Sequence, residues 1–327
     1  MSTTEQAPPV APPVPPAPPA PIKAKQRPGD RVFSGSALGA GIIILIVLAA
    51  VATFLIIQSL PAFQLDTSDN HILKGESFWT YVWPLVFGTV WVSLIALLIA
   101  APIAIGIALF ISHYAPRRLA AVLGYIIDLL AAVPSVVFGL WGGLVLAPLL
   151  QPIYVWLNDN AGWIPFFGGQ VSPTGKTIFT AAIVLAVMVI PIMTAICREV
   201  FLQTPKLHEE AALALGATRW EMVQMAVLPF ARGGMVSAAM LALGRALGET
   251  MAVTMVLSPS AVVSFLLLTS TNPTPIPANI ALAFPEAHDT GVNTLIATGL
   301  ILFVVTFAVN ALARWIVARR AEFSGAN

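Results

Sequence analysis

An arginine and a glutamate, Arg245 and Glu249, lie four residues apart in a predominantly apolar segment. The segment 231–258 is long enough to span a bilayer as a helix, where ionisable side chains are costly and usually functional. At this spacing the two side chains share one helix face, so we expect them to pair. A guanidinium stays charged and can donate two hydrogen bonds to an oxyanion, which predicts transient anion binding at Arg245. The alternative is a structural ion pair that orients the helix.

The sequence leaves the role of Glu249 open, because a carboxylate repels an anion. Glu249 either weakens binding enough for passage or contacts a proton of the anion. Gly244 and Gly248 repeat at four residues, a pattern that lets another helix backbone approach closely. Asp128 is the other acid expected within a span, and we interpret it as a structural carboxylate near the inner end of that span.

The composition determines the class of protein. Of 327 residues, 58% are hydrophobic and 9% are charged, whereas soluble proteins have roughly 25% charged residues. A soluble globule is therefore excluded. Cys197 is the single cysteine, so an intrachain disulfide and a cysteine-based metal cluster are excluded as well, and we assign no metal site. The basic residues are spread over short loops, which argues against nucleic-acid binding.

The predicted fold class is all-α: a polytopic membrane protein with six transmembrane helices and a short helix in a cytoplasmic loop. Residues 1–31 are predicted to form a disordered Pro-rich tail, residues 32–320 the membrane domain, and residues 321–327 a C-terminal tail. Because spans in lipid must satisfy their own backbone groups, the long apolar runs must be helices. The expected spans are 36–60, 84–112, 119–150, 178–200, 231–258 and 292–317.

The basic residues predict the orientation. Cytoplasmic segments of membrane proteins are enriched in lysine and arginine. Such residues cluster before the first span, after the second and at the end of the sixth: Lys23, Lys25, Arg27, Arg31, Arg117, Arg118, Arg314, Arg319 and Arg320. We therefore expect both termini to be cytoplasmic.

The loop 203–229, between spans four and five, predicts a helix-turn-helix on the cytoplasmic face. Thr204 and Pro205 are a suitable N-cap and first helical residue, and Gly216 is expected to end the first helix. This loop resembles the signature loop of importer-type ABC permeases. The matching residues are Glu210, Ala211, Ala212, Gly216, Leu228 and Pro229. Ala226 departs mildly, since a larger aliphatic residue is usual there.

The resemblance implies that the loop helix inserts into a groove of an ATP-binding subunit, so that ATP-driven closure moves the membrane subunit. The alternative is an amphipathic surface helix without a docking partner, because alanine-rich sequences form helices readily. The chain itself lacks a nucleotide-binding motif. Gly175, Lys176 and Thr177 look like the end of such a motif, but Gln170 replaces its first glycine.

The segments 244–253 and 130–142 are similar to the PstC-type permeases of the phosphate-specific ABC transporter. This resemblance, over residues 36–320, implies a non-enzymatic subunit of the bacterial inner membrane without a cofactor of its own. It implies three kinds of partner chain: a PstA-type sister permease, PstB-type ATPases that bind ATP and Mg²⁺, and a PstS-type phosphate-binding protein. It also implies that Arg245 and Glu249 take part in phosphate passage. An importer of sulfate, molybdate or phosphonate stays open as an alternative, and a self-contained carrier or channel is a second one.

Overall fold

The computed structural model describes residues 28–64, 70, 72–73 and 75–321, and it is largely helical. Three helices continue into a π-helical turn and one into a 3-10 turn. The helices are α1 (Pro28–Gln64), α2 (Phe78–Leu109, with π turn Phe110–Tyr114), α3 (Arg117–Ala131), α4 (Ser135–Trp141, with π turn Gly142–Leu146), α5 (Ala147–Ala161), α6 (Ile178–Leu202), α7 (Lys206–Ala214), α8 (Arg219–Met222, with π turn Val223–Val227), α9 (Leu228–Leu247), α10 (Met251–Val256), α11 (Ile276–Ala283, with 3-10 turn Phe284–Glu286) and α12 (Thr290–Ala321). Two short parallel strands are β1 (Pro259–Ser260) and β2 (Asn272–Pro273).

Six of the described helical segments are long and apolar enough to cross a membrane, which confirms the predicted fold class. They are Val32–Phe63, Phe78–Tyr114, Ser135–Ala161, Ile178–Leu202, Arg219–Leu247 and Thr290–Trp315. Residues 1–27 of the predicted tail and residues 322–327 lie outside the described residues, and α1 begins at Pro28 rather than after Arg31.

The chain divides into two compact units at Val51. The described part of the first unit is the amino-terminal stretch of α1, whose large apolar side chains are exposed. The second unit, from Ala52 onward, contains the rest of the chain. Its best-packed pair is α2 and α6. Four fully buried alanines at four-residue intervals, Ala96, Ala100, Ala104 and Ala108, allow α2 to lie close to its neighbours.

Two predicted spans differ from the observed helices. Span three, expected at 119–150, is broken at residues 132–134, so that α3 is a separate helix and the span is Ser135–Ala161. Pro134 explains the break, because the residue before a proline avoids the helical conformation. Span five, expected at 231–258, is Arg219–Leu247. It begins earlier because α8 continues through its π turn into α9, and it ends earlier because Gly248 closes α9 before α10 begins.

The break also changes the interpretation of Asp128. The prediction placed this residue as a buried acid in span three, but it is exposed on α3. One face of α3 packs on the bundle, where Gly124 and Ile127 are buried, and the other face is exposed, with Tyr125 and Leu129 on it. Asp128 is therefore not a buried carboxylate within this chain.

The segment between α10 and α12 is folded onto one end of the bundle. Buried Asn272 accepts a hydrogen bond from the backbone N–H of Ile178, at the start of α6, at 3.1 Å. Thr89 of α2 accepts one from the N–H of Ile276 at 2.9 Å. These contacts place the first half of α2 and the starts of α6 and α11 at the same end, which is opposite the end that contains α7.

Candidate functional site

Short helices α4 and α10 pack against each other beside the two helix breaks. Their contact depends on two glycines, Gly139 of α4 and Gly143 of the π turn that follows it. A Cβ atom on Gly139 would lie 2.8 Å from the Cα of Ala252, and one on Gly143 would lie 2.7 Å from the carbonyl oxygen of Met255. Both distances are shorter than real side chains tolerate, so only glycine allows α10 to sit this close.

Glu249 lies in the break between α9 and α10 and is buried, with 9% of its surface exposed. Its Oε1 accepts a hydrogen bond from the backbone N–H of Ala252 at 3.1 Å. The carboxylate therefore caps the first turn of α10, where an anion is favoured by the helix dipole. This contact satisfies a backbone donor that the helix break would leave without a partner.

The expected pairing of Arg245 with Glu249 is not observed. No ion pair links them among the residues that the structure describes. The reason is local: the prediction assumed one continuous helix, but α9 ends at Leu247, with Gly248 as its C-cap, so Glu249 does not lie one turn above Arg245. Likewise, no described residue from elsewhere in the fold lies within 4 Å of a Cβ atom built on Gly244, so this glycine does not receive another backbone from the described part of the chain.

Arg245 is exposed and lines a cavity of about 1160 Å³ between α9, α12 and the middle of α6. The cavity contains a second arginine, Arg314, and two neutral polar side chains, Ser237 and Asn310. The other lining residues are Ile192, Val236, Met240, Leu241, Gly244, Phe307 and Ala311. None of the lining residues is acidic, so the cavity favours an anion.

The sequence did not point to Arg314 as a site residue, because its place near the end of the last span predicted a surface position. A signal was present: Asn310 and Arg314 are four residues apart in an apolar helix, and therefore on one face. Which helix that face meets is decided by tertiary packing.

The α7–α8 loop has the predicted helix-turn-helix form. Gly216 ends α7 with a φ angle of +87°, a conformation that glycine adopts without strain. Thr218 and Glu221 form a reciprocal capping box at the start of α8, with distances of 3.3 and 2.7 Å. The predicted cap at Thr204 is shifted by one residue, since Pro205 is the N-cap of α7.

Contacts with the bundle anchor one face of α7. Ala212 is buried and belongs to the same apolar cluster as Met222 and Val223. Glu209 Oε1 lies 3.6 Å from His113 Nε2, at the end of α2, and His113 Nδ1 in turn lies 2.7 Å from Ser112 Oγ. The end of α2 and α7 therefore lie at the same end of the bundle.

The other face of the loop is open. Leu207 is 73% and Leu215 is 89% exposed, and Glu210 and Trp220 are exposed as well. Of the remaining signature residues, Ala211 and Pro229 are exposed, and Leu228 is half-buried. Within the described part of the chain, no cluster of three or more His, Cys, Asp or Glu side chains is suited to a metal ion.

Comparison with known proteins places this architecture in a family. The family described as "Binding-protein-dependent transport system inner membrane component" matches residues 101–322. The phosphate transport system permease protein PstC 2 of Mycobacterium tuberculosis is 48% identical over 303 residues, which cover 88% of this chain and 91% of that protein. PstC of Mycobacterium leprae is 45% identical over 301 residues, with 89% and 94% covered.

A solved structure has the same fold. It is the crystal structure of a bacterial ABC transporter involved in the import of the acidic polysaccharide alginate, and it aligns with a TM-score of 0.59. The alignment covers 89% of this chain and 96% of that chain at 18% identity. The family match and the relatives that are nearly half identical along most of their length lead to one assignment: the chain belongs to the binding-protein-dependent inner membrane transport components, and among them to the PstC-type permeases.

Proposed function

We propose that this chain is the transmembrane permease subunit of an ATP-driven phosphate importer. The observation that carries the proposal is the cavity of about 1160 Å³ that contains two arginines and no acid, in a chain whose relatives are phosphate transport permeases. A guanidinium recognises phosphate through two parallel hydrogen bonds and stays charged at any physiological pH. Arg245 supplies transient affinity for the anion, and the chain forms half of the pathway.

The other half of the pathway is a PstA-type sister permease. ATP and Mg²⁺ bind to PstB-type ATPases, one of which docks on the loop 203–229, and a PstS-type protein delivers phosphate from outside. The exposed leucines of the loop support this docking, because an apolar surface next to a membrane domain is stabilised by burial against a partner. Glu210, Ala211 and Gly216 lie on the same short motif and shape its contact surface.

The proposed orientation places α7 and both chain termini in the cytoplasm of a bacterial cell. Arg117, Arg118 and Arg314 lie at or near the α7 end of their helices, as expected for the cytoplasmic side. The folded segment between α10 and α12 then faces outward, where the binding protein docks.

Uptake into proteoliposomes tests the proposal. We expect the assembled transporter with its binding protein to accumulate radiolabelled phosphate only when ATP is available to the ATPases, with an excess of sulfate having no effect. Molybdate and a phosphonate serve as further competitors. Inhibition of uptake by one of these anions would indicate that the chain belongs to an importer of that anion. Uptake without ATP would instead identify a self-contained carrier.

Two variants of Glu249 distinguish a function as a helix cap from a function in the transport pathway. Glu249→Gln keeps an oxygen that accepts from the Ala252 N–H, so uptake should stay within about threefold of wild type, since a neutral cap retains most of the stabilisation. Glu249→Ala removes the acceptor and should lower the thermal stability of the complex together with uptake. A glutamine variant that is as stable as wild type but inactive would show that the charge acts on the substrate.

A further inference from the structure

The arginine cavity has a second cationic side chain, Arg314, which the proposed transport route leaves unused. Arg314 lies on α12 with Phe307, Asn310 and Ala311, at intervals that form one helix face along the cavity. On the opposite wall, lining residues extend along α9 from Val236 to Arg245. The cavity is thus an elongated space between two helices.

The direction of the two helices determines where the arginines lie. Helices α9 and α12 are successive spans joined at the end opposite α7, so they run antiparallel. With a rise of ~1.5 Å per residue, the lining extends ~13 Å along α9 and ~10 Å along α12. Because the helices run in opposite directions, Arg245 at the end of α9 and Arg314 near the end of α12 lie at opposite ends of the cavity. Arg314 is at the α7 end.

Both arginines are available to an anion. Neither forms an ion pair with any residue that the structure describes, and the lining is without a carboxylate. The nearest acid in sequence to Arg245 is Glu249, whose Oε1 is occupied by the cap of α10. Asn310 lies one helical turn from Arg314, and its amide can donate a hydrogen bond between the two charges.

We propose that Arg314, together with Asn310, forms a second oxyanion-binding position at the inner end of the cavity. Phosphate passes from Arg245 to Arg314 before it enters the cytoplasm. Two weak positions in series allow an anion to leave the first without the cost of returning to an apolar environment. This inference rests on the proposed function, and wild-type uptake in the same experiment tests that function separately.

The experiment compares Arg314→Gln, Arg314→Lys and Arg118→Gln in the reconstituted transporter with its partner subunits and binding protein. Uptake of radiolabelled phosphate is divided by the amount of assembled complex, so that a poorly assembling variant is still informative. We expect Arg314→Gln to reduce uptake about tenfold, the effect of losing a hydrogen bond to a charged group. Arg314→Lys should be intermediate, because it keeps the charge but loses the paired donors. Arg118→Gln removes the same charge at the same end of the bundle, outside the cavity, and should leave uptake unchanged.

A charge-relocation variant separates an anion site from a membrane-surface anchor. Arg314→Gln combined with Ala311→Arg keeps Asn310 and returns a guanidinium to the cavity about one turn further from the α7 end, where it cannot serve the surface. Partial recovery of uptake supports the second binding position. Wild-type uptake by Arg314→Gln, or recovery with Arg314→Lys but not with the relocated arginine, would overturn it, because the residue would then act only as an anchor.

Discussion

Replacement of Arg245 by glutamine should reduce ATP-dependent phosphate uptake by about 10- to 100-fold, while the ATPases remain attached to the complex. Hydrogen bonds to a charged group contribute ~1.5–3 kcal/mol, and the variant loses both the charge and the paired donors. Arg245 is exposed to its cavity and makes no ion pair among the described residues, so its loss leaves no unpaired buried carboxylate. The defect should therefore lie in passage of the anion and not in folding.

Two variants make this prediction specific. Arg245→Lys keeps the charge but loses the two parallel donors, so uptake should be intermediate. Arg232→Gln removes an exposed arginine of the same helix that does not line the cavity, and it should transport like wild type. Uptake, ATP hydrolysis and the amount of ATPase bound are measured in the same preparations. Wild-type uptake by Arg245→Gln would mean that this residue is only structural.

Most of the membrane topology follows from the sequence because hydrophobic length is a local property. Spans one, two, four and six are observed close to their predicted bounds, since each is an apolar run bounded by polar residues. The turn at Gly216 was predictable for a similar reason: only glycine adopts its positive φ angle without strain. These features depend on a few neighbouring residues.

The features that shape the candidate site depend on tertiary contacts. Gly248 permits a break in α9 but does not require one, because glycine also occurs within membrane helices. The break is stabilised by the Glu249 cap and by the close packing of α10 on Gly139 and Gly143. Helical periodicity alone predicts a continuous helix, and therefore a pair between Arg245 and Glu249. The position of Arg314 in the cavity is not predictable for the same reason, because the packing of α12 beside α9 is a tertiary contact.

The loop 203–229 is explained by the sequence and the structure together. The signature residues predict an ATPase contact, and the structure adds which side chains are available for it. Ala212 and Glu209 face the bundle through the apolar cluster and His113. Leu207 and Leu215 are free to contact another chain. A substitution at Leu215 should therefore affect docking without affecting the fold of this chain.

Leu215→Asp should abolish stable association with the ATP-binding subunit and reduce uptake to background. Leu215 is 89% exposed in this chain, so an aspartate there costs little in the isolated permease. In a closed interface the same carboxylate would be buried without a partner, at a cost of several kcal/mol, which corresponds to a loss of affinity of at least about 100-fold. Co-purification of the ATPase with the membrane subunits in detergent measures the association directly.

The control for this variant is Gln224→Glu, which introduces the same charge at an exposed polar position of the same loop. It should retain the ATPase, because a solvated polar side chain is not expected at the centre of an interface. Loss of the ATPase in both variants would point to the charge of the loop as a whole. Normal co-purification and uptake with Leu215→Asp would contradict the docking proposal and leave α7 as a surface helix. The difference between the two variants thus tests whether the exposed leucine is the contact through which ATP hydrolysis moves the membrane helices.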